Sequence, residues 1–281
     1  MEQLYGGHKE VISISVSAPI HGGKNATVEI DVSERGAKNL IGEVPEINND
    51  VPVKVSKSEK ITPDTCSAQT GDDYSLVDGG VRVYGETGWG TLTGCAFDND
   101  GNKRFATCNH LFEGISSGGE IWHLYHPDTS SNSNRIGEDE EAKCADDIVF
   151  FKPKNNHSPQ RRVKNASPEA VNGQWEKDGL ADIQANEGKV KKMGAKTCET
   201  TGDLHAIDAT MYNYGCIPHY GQLKYGDGNT SNGGDSGGPV YHVSPNNSDY
   251  QWIAGINNWS NSNVSGGTSS WRIKRSSTYH F

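Results

Sequence analysis

No stretch of this chain approaches the roughly 20 consecutive apolar residues that a helix needs to cross a bilayer. Only 33% of its 281 residues are hydrophobic, which argues against a helical membrane protein. An excess of positive charge is also missing. The 26 Lys and Arg against 36 Asp and Glu leave a formal charge of -10, so neither nucleic acid nor an anionic membrane is the expected partner. Helix-favouring stretches are scarce, whereas Val/Ile/Thr alternation is frequent and glycine abundant, so the expected architecture is all-β. The opening Met1-Glu2-Gln3-Leu4-Tyr5-Gly6-Gly7 has neither the basic stretch nor the apolar core of a secretory signal peptide.

Metal-ligand patterns are wanting too. Cys216-Ile217-Pro218-His219 and His123-Leu124-Tyr125-His126 have ligand-like spacing, but neither is joined to a second pair as zinc sites require. Asp98-Asn99-Asp100-Gly101-Asn102 resembles half a calcium loop, yet its glycine comes too early and no glutamate closes it. No metal and no cofactor is expected.

What is present falls into two parts. Val11–Val16, Thr27–Val32 and Val51–Val55 alternate at period two, as half-buried strands do. They suggest a small β-rich module over residues 1–65. A polar linker follows at 66–78, in a stretch with the composition of a site for proteolytic cutting. A larger domain spans 79–281. A β-rich module ahead of a domain in this way reads either as a pro-segment or as an extension packed permanently on its neighbour. The polar stretch 155–188 reads as a connection within the larger domain, with Ser167 capping Pro168 at the start of one short helix.

Within the larger domain, Gly234-Asp235-Ser236-Gly237-Gly238-Pro239 flanks a hydroxyl with glycines. Small neighbours admit a substrate carbonyl and free backbone N–H groups to face a developing oxyanion. Upstream lie Thr107-Cys108-Asn109-His110, at the end of a strand-like stretch, and Asp146-Asp147 leading into the apolar run Ile148-Val149-Phe150-Phe151. His, then Asp, then Ser is the chain order of chymotrypsin-type proteases. Over roughly residues 79–275 the chain resembles the trypsin/chymotrypsin-like serine proteases, closest in style to the secreted streptogrisin-like bacterial branch. Gly194-Ala195-Lys196-Thr197-Cys198, Gln222-Leu223-Lys224-Tyr225 and Ile253-Ala254-Gly255-Ile256-Asn257-Asn258-Trp259-Ser260 carry the same resemblance.

That resemblance implies two antiparallel six-stranded β-barrels with the active site between them, and a serine endopeptidase acting through an acyl-enzyme on polypeptide substrates. His110 would be the base, Asp147 its orienting carboxylate and Ser236 the nucleophile. Gly234 and Ser236 would supply the oxyanion N–H groups. Successive strand residues face opposite sides, so only one of Asp146 and Asp147 reaches His110. Asp147 stands directly before the apolar strand, as the family's aspartate does. Thr230, Ser231, Asn258, Trp259 and Ser260 would line the primary pocket. No carboxylate stands at Thr230–Gly233, so an uncharged P1 residue is expected, although Asp227 is close in sequence.

The family's disulfide between the strand before the histidine and the histidine's loop implies a Cys95–Cys108 bridge here. Cys198 with Cys216, and then Cys66 with Cys144, would complete the pairing of the six cysteines. Such a framework implies an oxidising, extracellular compartment. The expected protein is a secreted monomer. Two other readings remain: a protease fold that serves as a binding module, and an esterase, since the serine loop also fits G-x-S-x-G. The esterase fold needs its acid and histidine after the serine, where only Asp249 and His280 stand in a short tail.

Overall fold

Period-two alternation builds sheets over most of the chain. In a computed structural model, residues 11–17, 27–33, 47–48, 51–57, 75–112, 121–212, 218–228, 230–244 and 246–281 are described. The fold is all-β, with two barrels packed against each other. The first is a seven-stranded sheet in the spatial order Trp89–Thr91, Arg82–Tyr84, His123–Tyr125, Arg135–Lys143, Ile148–Pro153, Lys103–Thr107, Gly94–Phe97. It has one strand more than expected because the chain reverses between Tyr84 and Trp89, where Gly85 N–H donates to Gly88 O. The second barrel is built from Val171–Gln174, Lys189–Gly194, Cys198–Met211, His219–Tyr225, Pro239–Val243, Gln251–Ile256, Trp259–Ser260 and Ser265–Thr268.

The run Ile148-Val149-Phe150-Phe151 is apolar throughout because both of its faces are buried. Val149 and Phe151 point into the first barrel's core with Val83, Leu92, Phe105 and Ile136. Ile148 and Phe150 point into the interface between barrels with Met193, Tyr241, Ile256 and Ile273. The C-terminus closes that interface. His280 exchanges backbone hydrogen bonds with Phe97 of the first barrel, and Tyr279 stacks on Phe150 at 4.1 Å between ring centroids. Asp147, immediately before this strand, is thereby fixed relative to both barrels.

The connection between barrels is not the loop and single helix expected. Strand Ser158–Val163 pairs in parallel with Leu76–Gly79, which begins three residues ahead of Gly79. No helix starts at Pro168. There Val163 N–H donates to Glu169 O and Asn165 N–H to the Glu169 side chain, turning the segment back on itself. The helices in this half are Lys177–Ala185 and Ser270–Ser276.

The N-terminal strands Val11–Ser17, Thr27–Val32 and Val51–Lys57 extend the second barrel's sheet. Ser13 and Ile14 pair with Met211 and Thr210, Val11–Ser17 pairs antiparallel with Thr27–Val32, and the latter pairs in parallel with Val51–Lys57. Lys224 on strand His219–Tyr225, only 4% exposed, donates to Asp31 of Thr27–Val32 at 2.6 Å. Residues 58–74, which include most of the expected linker, lie outside the described residues.

Two of the expected disulfides do not form. Cys95 and Cys108 are both buried thiols. Cys95 stands opposite Phe105 in the hairpin register, three residues short of Cys108. At about 3.3 Å per residue that is roughly 10 Å along the strand, beyond the reach of a bridge. Burial pushes the Cys95 thiol up to about 12, which leaves it little thiolate at neutral pH. Cys198 also carries a thiol rather than the expected bridge, and Cys144 is disulfide-bonded; Cys216 and Cys66, the partners expected for these two, lie outside the described residues.

Candidate active site

His110 lies in a single 3-10 turn, Asn109–Leu111, that follows strand Lys103–Thr107. Leu111 and Phe112 anchor the turn in the first barrel's core. Asp147 caps a second such turn, Cys144–Asp146, in the left-handed conformation at φ 46° and ψ 48°. Asp can adopt this region more readily than most residues. The turn sets adjacent carboxylates on different partners. Asp147 accepts from the His110 backbone N–H at 2.8 Å and faces His110 Nδ1 at 2.7 Å. Asp146 instead accepts from Arg272 Nε at 2.7 Å. Asn258 Nδ2 donates to the Asp147 carbonyl at 3.2 Å, so Asn258 braces the aspartate.

Burial of the imidazole opposes its charged form. The Asp147 carboxylate and, after it, the Cys108 sulfur together outweigh that cost and hold the His110 pKa well above its ordinary value. Because Asp147 engages Nδ1, the favoured neutral tautomer carries its lone pair on Nε2, the nitrogen a general base uses. Nε2 lies 3.6 Å from Cys108 Sγ.

Ser236 sits on a tight loop at the second barrel's edge. Its carbonyl accepts from Thr91 N–H of the first barrel at 2.7 Å. Gly237 has φ +86°, and a Cβ there would fall 2.1 Å from Thr107 Oγ1 and 3.1 Å from Cys108 N. The glycine after the serine therefore lets the loop rest directly against the segment that carries His110. The N–H groups of Asp235, Gly237 and Gly238 are taken by the carbonyls of Asn232, Asn257 and Asp235. Among the described residues, no acceptor takes the N–H of Gly234 or Ser236, so both remain available to an oxyanion.

Asp235 is fully buried, and its charge partner is Lys192, also fully buried. Thr197 Oγ1 donates to it at 2.6 Å, and the N–H groups of Lys196, Thr197 and Asn232 donate at 3.1–3.2 Å. A Cβ on Gly194 would collide with the Asp235 carboxylate at 1.9 Å. A buried pair of this kind contributes little net stability, but loss of one partner costs about 3–5 kcal/mol. The charge partner of Asp235 is thus an internal cation, Lys192, rather than a chain terminus.

The residues expected to line the primary pocket are all buried, but they differ in what they offer. Thr230 Oγ1 accepts from Asp227 N–H at 2.8 Å, so its hydroxyl belongs to its own turn, and Asp227 is exposed. Trp259 lies over Gly266 and donates from Nε1 to Gln222 at 3.2 Å. Ser260 pairs with Ser265 across two strands. Among the described residues, the Ser231 and Ser265 hydroxyls are buried with no hydrogen-bond partner. Ser265 carried no sequence signal, because only strand pairing brings it beside Ser260.

This two-barrel arrangement is the trypsin/chymotrypsin-like serine protease fold. A glutamic-acid-specific serine protease, described as using a histidine triad in substrate binding, matches at 19% identity with a TM-score of 0.53, over 73% of this chain and 99% of its own. A Nocardiopsis protease matches at 16% identity with a TM-score of 0.50, covering 73% of this chain and 98% of its own. An α-lytic protease homologue matches at 14% identity with the same TM-score and coverage. At these identities the likeness extends to the fold alone. No protein-family model matches the sequence, and no curated protein matches it.

Proposed function

We propose that the protein is a serine endopeptidase that forms an acyl-enzyme at Ser236. The observation that carries this reading is the two-point attachment of His110 to Asp147, through backbone and ring, beside the serine loop. His110 takes the Ser236 proton as Oγ attacks the scissile carbonyl, then delivers it to the leaving amine. Asp147 orients the ring and stabilises its charged form. The N–H groups of Gly234 and Ser236 receive the oxyanion. Water then repeats the sequence and releases the acyl product.

The pocket suits an uncharged P1 residue. Ser231, Ser260 and Ser265 present hydroxyls, while the carboxylate of the exposed Asp227 accepts from the Thr230 hydroxyl at 3.3 Å within its own turn. A glutamate-binding pocket would need a positive partner, and none of these residues supplies one. A fluorophosphonate that labels Ser236, followed by cleavage of a peptide library, tests the reading. Rapid labelling with uncharged P1 products is expected. Absence of labelling in folded protein would favour the binding-module reading, and cleavage confined to Lys or Arg would overturn the pocket assignment.

The strands before residue 58 act, in this proposal, as a regulatory pro-segment of a secreted monomer. Since Lys192 already neutralises Asp235, release of a new N-terminus is not needed to build the serine loop. The module's influence runs instead through its pairing with Cys198–Met211 and its cover over Lys224. Full-length protein should be cut between about Ser56 and Gly79, and more slowly in the Ser236→Ala variant if the cut is autocatalytic. Mass spectrometry over an activity time course reads this. A chain that stays intact while fully active makes the module a permanent domain.

A further inference from the structure

The proposed triad chemistry leaves one buried group beside it without a role: the thiol of Cys108. We infer that Cys108 Sγ and His110 Nε2 form a two-point site for a thiophilic divalent cation of the zinc group, and that an ion held there blocks the base. The inference goes beyond the proposed peptidase activity, and only its inhibitory consequence rests on that reading.

The geometry comes first. Zinc binds thiolate sulfur at about 2.3 Å and imidazole nitrogen at about 2.0–2.1 Å, and tetrahedral ligands at those lengths stand about 3.6 Å apart. Sγ and Nε2 are separated by 3.6 Å. That spacing also suits a weak S–H···N hydrogen bond, which is the contact expected of the metal-free protein. The cation takes the place of the bridging proton. Cys108 S–H releases its proton to solvent, a sulfur–metal bond forms, and the Nε2 lone pair makes the second bond. No oxidation state changes.

Burial of the sulfur opposes loss of its proton, and the imidazole side of the site favours the exchange. A metal-bound histidine usually gives its other ring N–H to a carboxylate, which fixes the tautomer and raises the basicity of the ligating nitrogen. Asp147 at 2.7 Å from Nδ1 already does this for His110. The sulfur is fully buried, but the His110 side chain is 27% exposed and forms the open wall by which an ion enters. Water fills the remaining coordination positions. With Nε2 occupied, His110 cannot accept the Ser236 proton.

The site is read directly by titrating the full-length protein with Cd²⁺ and following the ultraviolet cadmium–thiolate charge-transfer band. A one-equivalent band is expected in the wild type and in Cys95→Ala. Cys108→Ala and Cys108→Ser should each weaken binding at least about tenfold, since losing even an outer-shell partner of a metal costs 10- to 100-fold. His110→Ala should weaken it likewise. In parallel, Zn²⁺ should block fluorophosphonate labelling of the wild type and be reversed by a chelator. Each cysteine variant is compared with its own metal-free labelling rate, and should show a weaker block. An unchanged cadmium band in both Cys108 variants would overturn the site. So would a Zn²⁺ block of equal strength in wild type and variants. If no labelling occurs with or without zinc, the peptidase reading fails while the cadmium titration still decides the site.

Discussion

Ser236→Ala and His110→Ala should each lower peptide hydrolysis by on the order of 10⁴ or more, because nucleophile and base act as one unit and either loss removes the covalent route. Both variants should remain folded, for reasons visible in the site. Among the described residues the Ser236 side chain makes no hydrogen bond that holds the loop. The loop is kept in place by its backbone, through Thr91 N–H to Ser236 O and Gly237 N–H to Asn257 O, and by the Lys192–Asp235 pair beneath it. In His110→Ala the Asp147 carboxylate keeps the backbone N–H of residue 110 as a donor, so it is not left wholly unsatisfied. Thermal melts together with kcat/KM on a peptide cleaved by the wild type measure both halves of the expectation. A folded variant of either kind that retains most of the wild-type rate would remove Ser236 and His110 from the roles proposed.

The sequence carried the serine loop most clearly, because its requirements are local. Gly234 and Gly237 both take positive φ, and the residues that satisfy those conformations are neighbours of the nucleophile. The apolar run after Asp147 was readable for a similar reason. A strand buried on both faces needs hydrophobic residues at every position, and the resemblance placed the aspartate at its start. What escaped the sequence depends on pairing across the chain. Lys192 lies 43 residues before Asp235, and nothing near it distinguishes a buried lysine from an exposed one on an alternating strand. The Cys95–Cys108 bridge was implied by family resemblance, but hairpin register sets the two thiols too far apart along the strand. Ser265 became a candidate only when strand pairing set it opposite Ser260. Asn258 gained a contact in the same way, donating to the Asp147 carbonyl from a position distant in sequence.

The adjacent aspartates should separate cleanly. Asp147→Asn should reduce turnover near neutral pH by roughly 10⁴, because an amide at this position favours the histidine tautomer with its proton on Nε2 and no longer balances the imidazolium that forms during attack. Asp146→Asn should cost little activity, since that side chain is directed to Arg272 and away from the imidazole. The pH profile adds a second readout. The Asp147 carboxylate stabilises the charged imidazole and so raises the His110 pKa. The acid limb of kcat/KM should therefore lie above the ordinary imidazole range in the wild type. With the carboxylate replaced by an amide, the charged form loses its partner, the pKa falls, and the limb of the residual activity moves to lower pH. Asp146→Asn should leave the limb close to where it was. Full pH–rate profiles of the two variants decide the matter: a large loss in Asp146→Asn with near-normal activity in Asp147→Asn would mean that the neighbouring carboxylate, not Asp147, orients the base.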